Sequence, residues 1–82
     1  MQVVYSQTSA KQLKKLPKNT QVKTLQIINK LKQNPLSGKP LQGGFKHLRS
    51  LRIWPYRIVY LFNSNNQTIF INVIQHRKDV YK

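Results

Sequence analysis

The chain has 82 residues and carries 15 Lys and Arg residues against a single carboxylate, Asp79, for a formal net charge of +14. One carboxylate excludes glycosidase chemistry, which needs two Asp or Glu groups, and Mg²⁺ or Ca²⁺ sites, which need several oxygen ligands. The chain contains no Cys, so disulfides and thiolate chemistry are excluded as well. We therefore expect no metal and no other cofactor, and any catalysis must use Arg, Lys, His and Tyr on a negatively charged substrate.

Hydrophobic residues make up 39% of the chain, which predicts one domain over residues 1–82 with a single small core. No run of about 18 apolar residues that could span a membrane is present. The first residues lack the charged and apolar regions of a secretory signal, so we predict a cytoplasmic protein that has no membrane contact.

The predicted elements begin with a short strand over Gln2 to Ser6, a segment rich in sheet-forming side chains. Ser6, Thr8 or Ser9 can cap a first helix, which Pro17 ends. Asn19 or Thr20 can cap a second helix, which ends at Asn34-Pro35. Apolar side chains recur at helical spacing in both segments. They are Ala10, Leu13 and Leu16 in the first, and Ile27, Ile28 and Leu31 with Thr24 in the second.

The second half of the chain alternates with a period of two and predicts three strands. A loop over Leu36 to Gly44 precedes them, and the segment from Asp79 to Lys82 is too short to predict a helix. The strands are Phe45 to Ile53, Tyr56 to Asn63 and Thr68 to His76. The order β-α-α-β-β-β predicts an α+β fold, in which a helical hairpin packs on a three-stranded antiparallel meander.

Strand parity separates a core face from a second face. If Trp54-Pro55 is the turn of the first hairpin, Arg52 lies directly opposite Arg57, and we call the side of the sheet that carries this pair the arginine face. Further residues predicted on it are Lys46, Ser50, Val59, Asn72, Ile74 and His76. Residues predicted on the opposite, core face are Leu51, Ile53, Tyr56, Ile58, Tyr60, Phe62, Ile69, Ile71 and Val73.

Like charges at directly paired positions destabilise a sheet by about 0.2–1 kcal/mol. With one carboxylate in the whole chain, the arginine pair has little internal charge to neutralise it. An external phosphate would do so. Parity therefore predicts a phosphate-binding surface that includes Arg52 and Arg57.

Three segments of the second half form a basic pattern: Leu51-Arg52-Ile53, Tyr56-Arg57-Ile58-Val59-Tyr60, and His76-Arg77-Lys78-Asp79-Val80-Tyr81. Together with Leu13-Lys14-Lys15-Leu16-Pro17 in the first half, they resemble the RelE/ParE superfamily of toxins, on the RelE side. The resemblance implies the RelE-like microbial RNase fold and the toxin of a type II toxin–antitoxin system. It also implies a hetero-oligomer with a small acidic RelB-like antitoxin.

The activity that the resemblance implies is a metal-independent endoribonuclease that cuts mRNA in the ribosomal A site, beside ribosomal RNA, and so inhibits translation. In this reaction the ribose 2′-hydroxyl attacks the adjacent phosphate. Such attack needs a proton acceptor, a proton donor at the leaving oxygen, and positive charge on the phosphoryl oxygens.

The resemblance also implies roles for individual residues. Arg57 would hold the scissile phosphate, Arg77 would stabilise charge or protonate the leaving oxygen, and Tyr81 would stack on or activate the nucleotide. Lys46 and Arg52 would form the basic pair on the preceding strand. The residues predicted to contact RNA are Arg49, His47, His76, Lys78 and Trp54. Of these, His76 is a candidate general base and Trp54 a candidate for stacking on a base.

Two other functions stay open at this point. A ParE-like toxin that poisons DNA gyrase would share the fold without needing the catalytic residues. A non-catalytic RNA-binding or ribosome-associated protein, including a toxin whose activity has decayed, would account equally well for the charge.

Overall fold

The computed structural model describes residues 1–41 and 47–80, and the side chains of 1–41 and 47–78. In chain order the elements are β1 (Gln2–Tyr5), α1 (Gln7–Lys15), α2 (Lys18–Leu31), β2 (Lys39–Pro40), β3 (Leu48–Ile53), β4 (Tyr56–Asn63), β5 (Thr68–His76) and α3 (Arg77–Val80). The α+β prediction is confirmed: an N-terminal strand and two helices precede the β3-β4-β5 meander.

The two helices begin differently. Ser6 caps α1, and its Oγ accepts a hydrogen bond from the Ser9 backbone amide at 2.9 Å. The caps predicted for α2 are wrong, because that helix begins at Lys18, directly after Pro17. Proline is tolerated there because the first amides of a helix have no partner within it, and the Pro17 carbonyl accepts from the Gln21 amide at 2.9 Å.

The sheet has five strands in the order β1-β5-β4-β3-β2. Strand β1 is parallel to β5 and the other neighbours are antiparallel. The segment predicted as a loop contains β2, which pairs Lys39 with Ser50. Strand β3 begins at Leu48 rather than at Phe45, which lies outside the described residues, and His47 belongs to a turn. A single helical turn, α3, follows β5 where no helix was predicted.

The pairing predicted for the first hairpin is confirmed, with Arg52 opposite Arg57 across the Trp54–Pro55 turn. The parity predicted for the last part of β5 is wrong. Val59 pairs with Val73 and Tyr60 pairs with Ile71, so Asn72 is an extra residue at a β-bulge. A bulge of one residue exchanges the faces of every side chain beyond it.

As a result of the bulge, Ile74 and His76 lie on the core face, while Val73 and Gln75 lie on the arginine face. Ile74 is 3% exposed and belongs to the core, whose other buried members are Leu16, Ile28, Leu31, Ile53, Ile58, Tyr60, Ile69 and Ile71. Both α1 and α2 contribute to this cluster, so the helices cover the core face. The arginine face is the opposite side.

Side chains of α1 take the place of a neighbouring strand beyond the end of β1. The Ser9 hydroxyl donates to the Ile71 carbonyl at 2.8 Å, and the Gln12 Oε1 accepts from the Ile74 amide at 2.7 Å. The Ile71 carbonyl also accepts from the Ser6 amide at the end of β1, whereas the Ile74 amide lies beyond the residues that β1 pairs with. These bonds fix the helix against the bulged end of β5.

Candidate functional site

The arginine pair is formed by β3 and β4 and is extended by β5. Arg52 is exposed and lies directly opposite Arg57, which is half-buried. Gln75 lies opposite Arg57 on its other side. Because directly paired residues of antiparallel strands project from the same face, these three side chains form one row across the sheet.

The guanidinium groups of this row have no described partner. Among residues 1–41 and 47–78, the side-chain hydrogen bonds donated by an arginine are the two that Arg49 makes. The positive charges of Arg52 and Arg57 thus remain uncompensated within the described part of the chain. A phosphate with several acceptor oxygens is the group that such a pair suits best, because each guanidinium can donate two parallel hydrogen bonds.

A groove of about 340 Å³ runs beside the pair. Its lining residues are Ser37, Lys39, Ser50, Leu51, Arg52 and Arg57. Two residues at this site, Lys39 and Gln75, were not identified from the sequence. Lys39 belongs to a strand of two residues between Gly38 and Leu41, which gives no periodic signal. Gln75 joins the arginine face only because of the bulge at Asn72, which nothing in the sequence indicates.

Arg77 and Trp54 meet at the end of the sheet next to the arginine pair. The Arg77 guanidinium lies over the Trp54 ring, 4.9 Å from its centroid, and the Arg77 amide donates to the Pro55 carbonyl at 2.8 Å. The indole is 62% exposed. A flat aromatic surface backed by a cation can receive a nucleobase, because stacking and the positive charge act together.

His76 lies on the core face, away from the arginine row. Its ring meets Tyr56 edge-on, with ring centroids 5.1 Å apart, and its Nδ1 accepts a hydrogen bond from the Lys78 amide at 3.1 Å. It lines a small cavity of about 180 Å³ together with Lys15 and Gln12. The prediction that His76 shares the arginine face is therefore wrong. Lys78 is exposed on α3.

Arg49 and His47 lie toward the other end of β3. His47 and Arg52 are five positions apart in the chain, which corresponds to about 16 Å in extended backbone. Arg49 is on the core face, and its Nη1 donates to the carbonyl oxygens of Leu36 at 3.2 Å and Gly38 at 2.9 Å. Its guanidinium is thus used in holding a loop. His47 is exposed and lines a separate cavity of about 370 Å³ with Arg49.

Tyr60 holds the same loop from inside the core. Its hydroxyl donates to the Pro35 carbonyl at 2.8 Å and accepts from the Gly38 amide at 3.0 Å. Burial raises the pKa of Tyr60, although the Gly38 amide, the Arg49 charge and a hydrogen bond with Ser37 act in the opposite direction. The phenol is therefore held in its neutral form, the form that can donate to Pro35.

Two predicted catalytic residues, Lys46 and Tyr81, lie outside the described residues. Within residues 1–41 and 47–78, no three His, Cys, Asp or Glu side chains are grouped so that they could hold a metal ion. None of the helices in the described ranges is long and apolar enough to cross a membrane.

Comparison with known proteins identifies the family. Residues 3–81 match the family described as the ParE toxin of the type II toxin–antitoxin system parDE. The chain belongs to the ParE toxin family. No curated protein sequence matches it. The resemblance to the RelE/ParE superfamily noted in the sequence is thereby confirmed.

Solved structures show the same fold. The toxin–antitoxin complex RelBE2 from Mycobacterium tuberculosis matches with a TM-score of 0.83 and 28% identity over 93% of this chain and 96% of that one. The RelB–RelE complex from Methanococcus jannaschii matches with a TM-score of 0.73 and 25% identity over 95% and 94%. The fold is shared by a YoeB/ParE toxin from Agrobacterium tumefaciens, which matches with a TM-score of 0.82 and 20% identity. That match covers 93% of this chain and 98% of the other. The protein is a toxin of a type II toxin–antitoxin system.

Proposed function

We propose that this toxin is a metal-independent endoribonuclease that cleaves mRNA on the ribosome. The observation that carries the proposal is the direct pairing of Arg52 with Arg57 on the face that the helices leave open. The pairing costs free energy in the isolated protein, and a bound phosphate removes that cost. The same positive charge stabilises the additional negative charge of a phosphorane-like transition state.

The chemistry follows from the side chains present. The ribose 2′-oxygen forms a bond to phosphorus while the bond to the 5′-oxygen breaks, giving a cyclic phosphate and a 5′-hydroxyl. Arginine stays protonated at neutral pH, so Arg57 and Arg52 hold the phosphoryl oxygens rather than accept a proton. Arg77, beside the hairpin turn, is suited to stabilising charge at the leaving oxygen. Trp54 beneath it is suited to stacking on a flanking base.

The 2′-hydroxyl loses its proton to a general base, and the 5′-oxygen takes up a proton as it leaves. His76 is on the opposite side of the sheet from Arg57, which argues against the general-base role considered for it. We assign that role in the proposal to Tyr81, with Lys46 as an additional cation on the strand before Arg52. Both assignments rest on the sequence resemblance.

The partner that we propose to restrain the toxin is an acidic, amphipathic, partly disordered antitoxin. The arginine face combines cations with apolar positions near its centre, where Val59, Leu61, Phe70 and Val73 lie. A chain that presents carboxylates and apolar side chains along one helix or strand would complement both features. The matched complexes from Mycobacterium tuberculosis and Methanococcus jannaschii, described as toxin–antitoxin assemblies, support this expectation.

The experiment that tests the activity compares induced expression of the parent with the double variant Arg57→Ala, Arg77→Ala, while the 5′ ends of cellular mRNA are mapped. The matched control is Lys30→Ala, Lys32→Ala, which removes two exposed cations from the helical side. We expect cuts at fixed positions within codons in the parent and control, and a loss of about 10²–10³-fold in the arginine variant. Cleavage of mRNA by the arginine variant at the parental rate would refute the proposal.

A second candidate is poisoning of DNA gyrase, which the family description favours because it names the ParE branch. This function needs a protein contact surface and no phosphate chemistry. It predicts growth arrest with a DNA-damage response and intact mRNA in the same expression experiment. Absence of any growth arrest would instead indicate a non-catalytic RNA-binding protein.

A further inference from the structure

The short edge strand β2 is held more firmly than its two residues would suggest. Four side-chain hydrogen bonds fix the loop before it. Two involve the buried Tyr60 hydroxyl, which binds the Pro35 carbonyl and the Gly38 amide, and two run from Arg49 to the carbonyl oxygens of Leu36 and Gly38. Because both side chains project from inner strands of the sheet, they fix where β2 begins.

Gly38 shows how close this loop approaches the sheet. A Cβ at that position would lie 2.6 Å from the Tyr60 hydroxyl and 2.9 Å from the Ser50 carbonyl oxygen. Only glycine permits this approach without displacing one of these groups. The residue that follows, Lys39, is consequently set at a defined position relative to Ser50.

Lys39 faces the arginine pair. It lies directly opposite Ser50, and Ser50 shares the arginine face with Arg52. Neighbouring strands are about 4.8 Å apart and alternate residues of a strand about 6.7 Å apart, so the Lys39 and Arg52 backbones lie about 8 Å from each other. The Lys39 side chain lines the groove that also contains Arg52 and Arg57.

We propose that Lys39 is a phosphate-binding residue, which takes the RNA phosphate next to the one held by Arg52 and Arg57. Lysine suits this position because its ammonium group is a point charge on a flexible stem, able to follow a backbone phosphate without fixing its orientation. Tyr60, Arg49 and Gly38 act as positioning residues for it. That the ligand is RNA rests on the proposed function. That Lys39 binds a phosphate group of a polyanion does not depend on it.

An edge lysine followed by proline also discourages pairing of the sheet with another chain. Lys39 could therefore matter in three ways: as a positive charge in the groove, as part of the net charge, or as a residue that protects the sheet edge. The test has to distinguish the first of these from the other two. Strand pairing supplies the means, because Ser50 projects from the same face directly across from Lys39. A lysine at Ser50 returns the charge to the groove without restoring the edge residue.

The variants are Lys39→Ala alone, Lys39→Ala with Ser50→Lys, and Lys39→Ala with Gln26→Lys. Gln26 is exposed on α2, so the last variant restores the net charge away from the groove. The probe is a single-stranded oligodeoxyribonucleotide, which can bind but cannot be cleaved because it lacks the 2′-hydroxyl. Its affinity is measured against salt concentration, and thermal unfolding confirms that each variant is folded.

We expect Lys39→Ala to lower the magnitude of the slope of log affinity against log salt by about 0.7, uniformly across probe sequences, because one phosphate contact is lost. Ser50→Lys should restore the slope and Gln26→Lys should not. An unchanged slope in Lys39→Ala, or equal restoration by both lysines, would overturn the inference. If Ser50→Lys prevents folding, the salt slope of Lys39→Ala is compared with that of Lys30→Ala instead. Equal slopes in these two variants would overturn the inference.

Cleavage measured in parallel separates this inference from the proposed function. A parent that binds the deoxy probe but leaves mRNA on translating ribosomes intact would refute nuclease activity, and the salt slopes would still decide the role of Lys39. A parent that cleaves, with slopes identical in all variants, would support the nuclease and refute Lys39 as a phosphate ligand. Absence of any binding to the probe would overturn the inference, while cleavage of ribosome-bound mRNA would decide the proposed function separately.

Discussion

Arg49 and Arg52 lie three residues apart on the same strand, yet they serve different purposes. Arg49 is on the core face, where its guanidinium donates to two loop carbonyls. Arg52 is on the arginine face, where its neighbour across the strands is another arginine. The comparison teaches that strand parity decides whether a cation is used by the fold or remains available to a ligand. Composition alone gives no such distinction, because both residues count equally toward the net charge.

The same contrast holds for the two faces as wholes. On the core face, buried side chains from α1 and α2 meet those of β3, β4 and β5. On the arginine face, apolar residues of the central strands are flanked by Lys39, Arg52 and Arg57. A face that was needed only for stability would not require a row of cations. We infer that stability is supplied mainly from one side of the sheet and recognition from the other.

The largest stability effect should come from truncating the core face. Ile58 is fully buried, so Ile58→Ala should lower the free energy of unfolding by about 2–5 kcal/mol. The matched change Leu61→Ala, on the arginine face of the same strand and half-buried, should cost about 1 kcal/mol. Urea denaturation followed by circular dichroism measures both.

If Ile58→Ala leaves too little folded protein to measure, Ile58→Val should still cost about 0.5–1.5 kcal/mol. Equal losses from Ile58→Ala and Leu61→Ala would contradict the division of the sheet into a stabilising face and a binding face. The Leu61 variant is also informative about recognition, since it leaves the arginine pair in place.

The next effect sharpens the contrast between the two arginines. Arg49→Ala leaves the Leu36 and Gly38 carbonyls without their side-chain donor and should cost about 1–2 kcal/mol. Arg52→Ala is the control, because it lowers the net charge by the same amount. It removes no described internal hydrogen bond and should not lower the free energy of unfolding. Denaturation at fixed salt measures the two variants side by side. A larger loss in Arg52→Ala than in Arg49→Ala would reverse the assignment of the two residues.

How much the sequence could predict is clear from the two halves of the meander. The pairing of Arg52 with Arg57 followed from simple alternation across one tight turn, and it is confirmed. The faces of Ile74 and His76 were predicted by the same alternation and are wrong, because Asn72 is an extra residue in β5. Bulges depend on how two strands and α1 fit together, and the polar residue at that position has no distinctive sequence signal.

Other parts of the site lay beyond local patterns for a different reason. Strand β2 is only two residues long, and the loop before it is fixed by hydrogen bonds between Gly38 and the side chains of Tyr60 and Arg49, which are 22 and 11 residues away. A periodic pattern cannot appear in so short a segment. Phosphate binding by Arg57 was predicted from strand parity, whereas its role at the scissile phosphate and the role of Arg77 came from the family resemblance. All of them stay predictions until the variants are tested.

A smaller effect, of opposite sign, should follow from removing one charge of the arginine pair. Arg52→Gln should raise the free energy of unfolding by about 0.2–1 kcal/mol at low salt, because Arg57 then faces a neutral neighbour. The gain should shrink at about 1 M salt, where the screening length falls to about 3 Å. Lys30→Gln removes the same charge from a site on α2 and serves as control. Equal gains in both variants would mean that overall net charge, rather than the pair, is responsible.

The smallest effect concerns the pH dependence contributed by Tyr60, whose hydroxyl fixes the loop before Lys39. Burial raises the pKa of Tyr60 in the folded protein, whereas the unfolded phenol ionises near its ordinary value of about 10. The unfolded state therefore releases its proton first, and the free energy of unfolding falls as pH rises from about 10 through the folded pKa. Tyr60→Phe lacks this proton, so the stability difference between parent and variant should be constant below about pH 9 and shrink above about pH 10.

The other titrating groups, including Tyr5, whose pKa burial also raises, are present in both proteins, so their contributions cancel in that difference. Parallel stability curves for parent and Tyr60→Phe across this range would show that the Tyr60 phenol does not hold the loop in its neutral form.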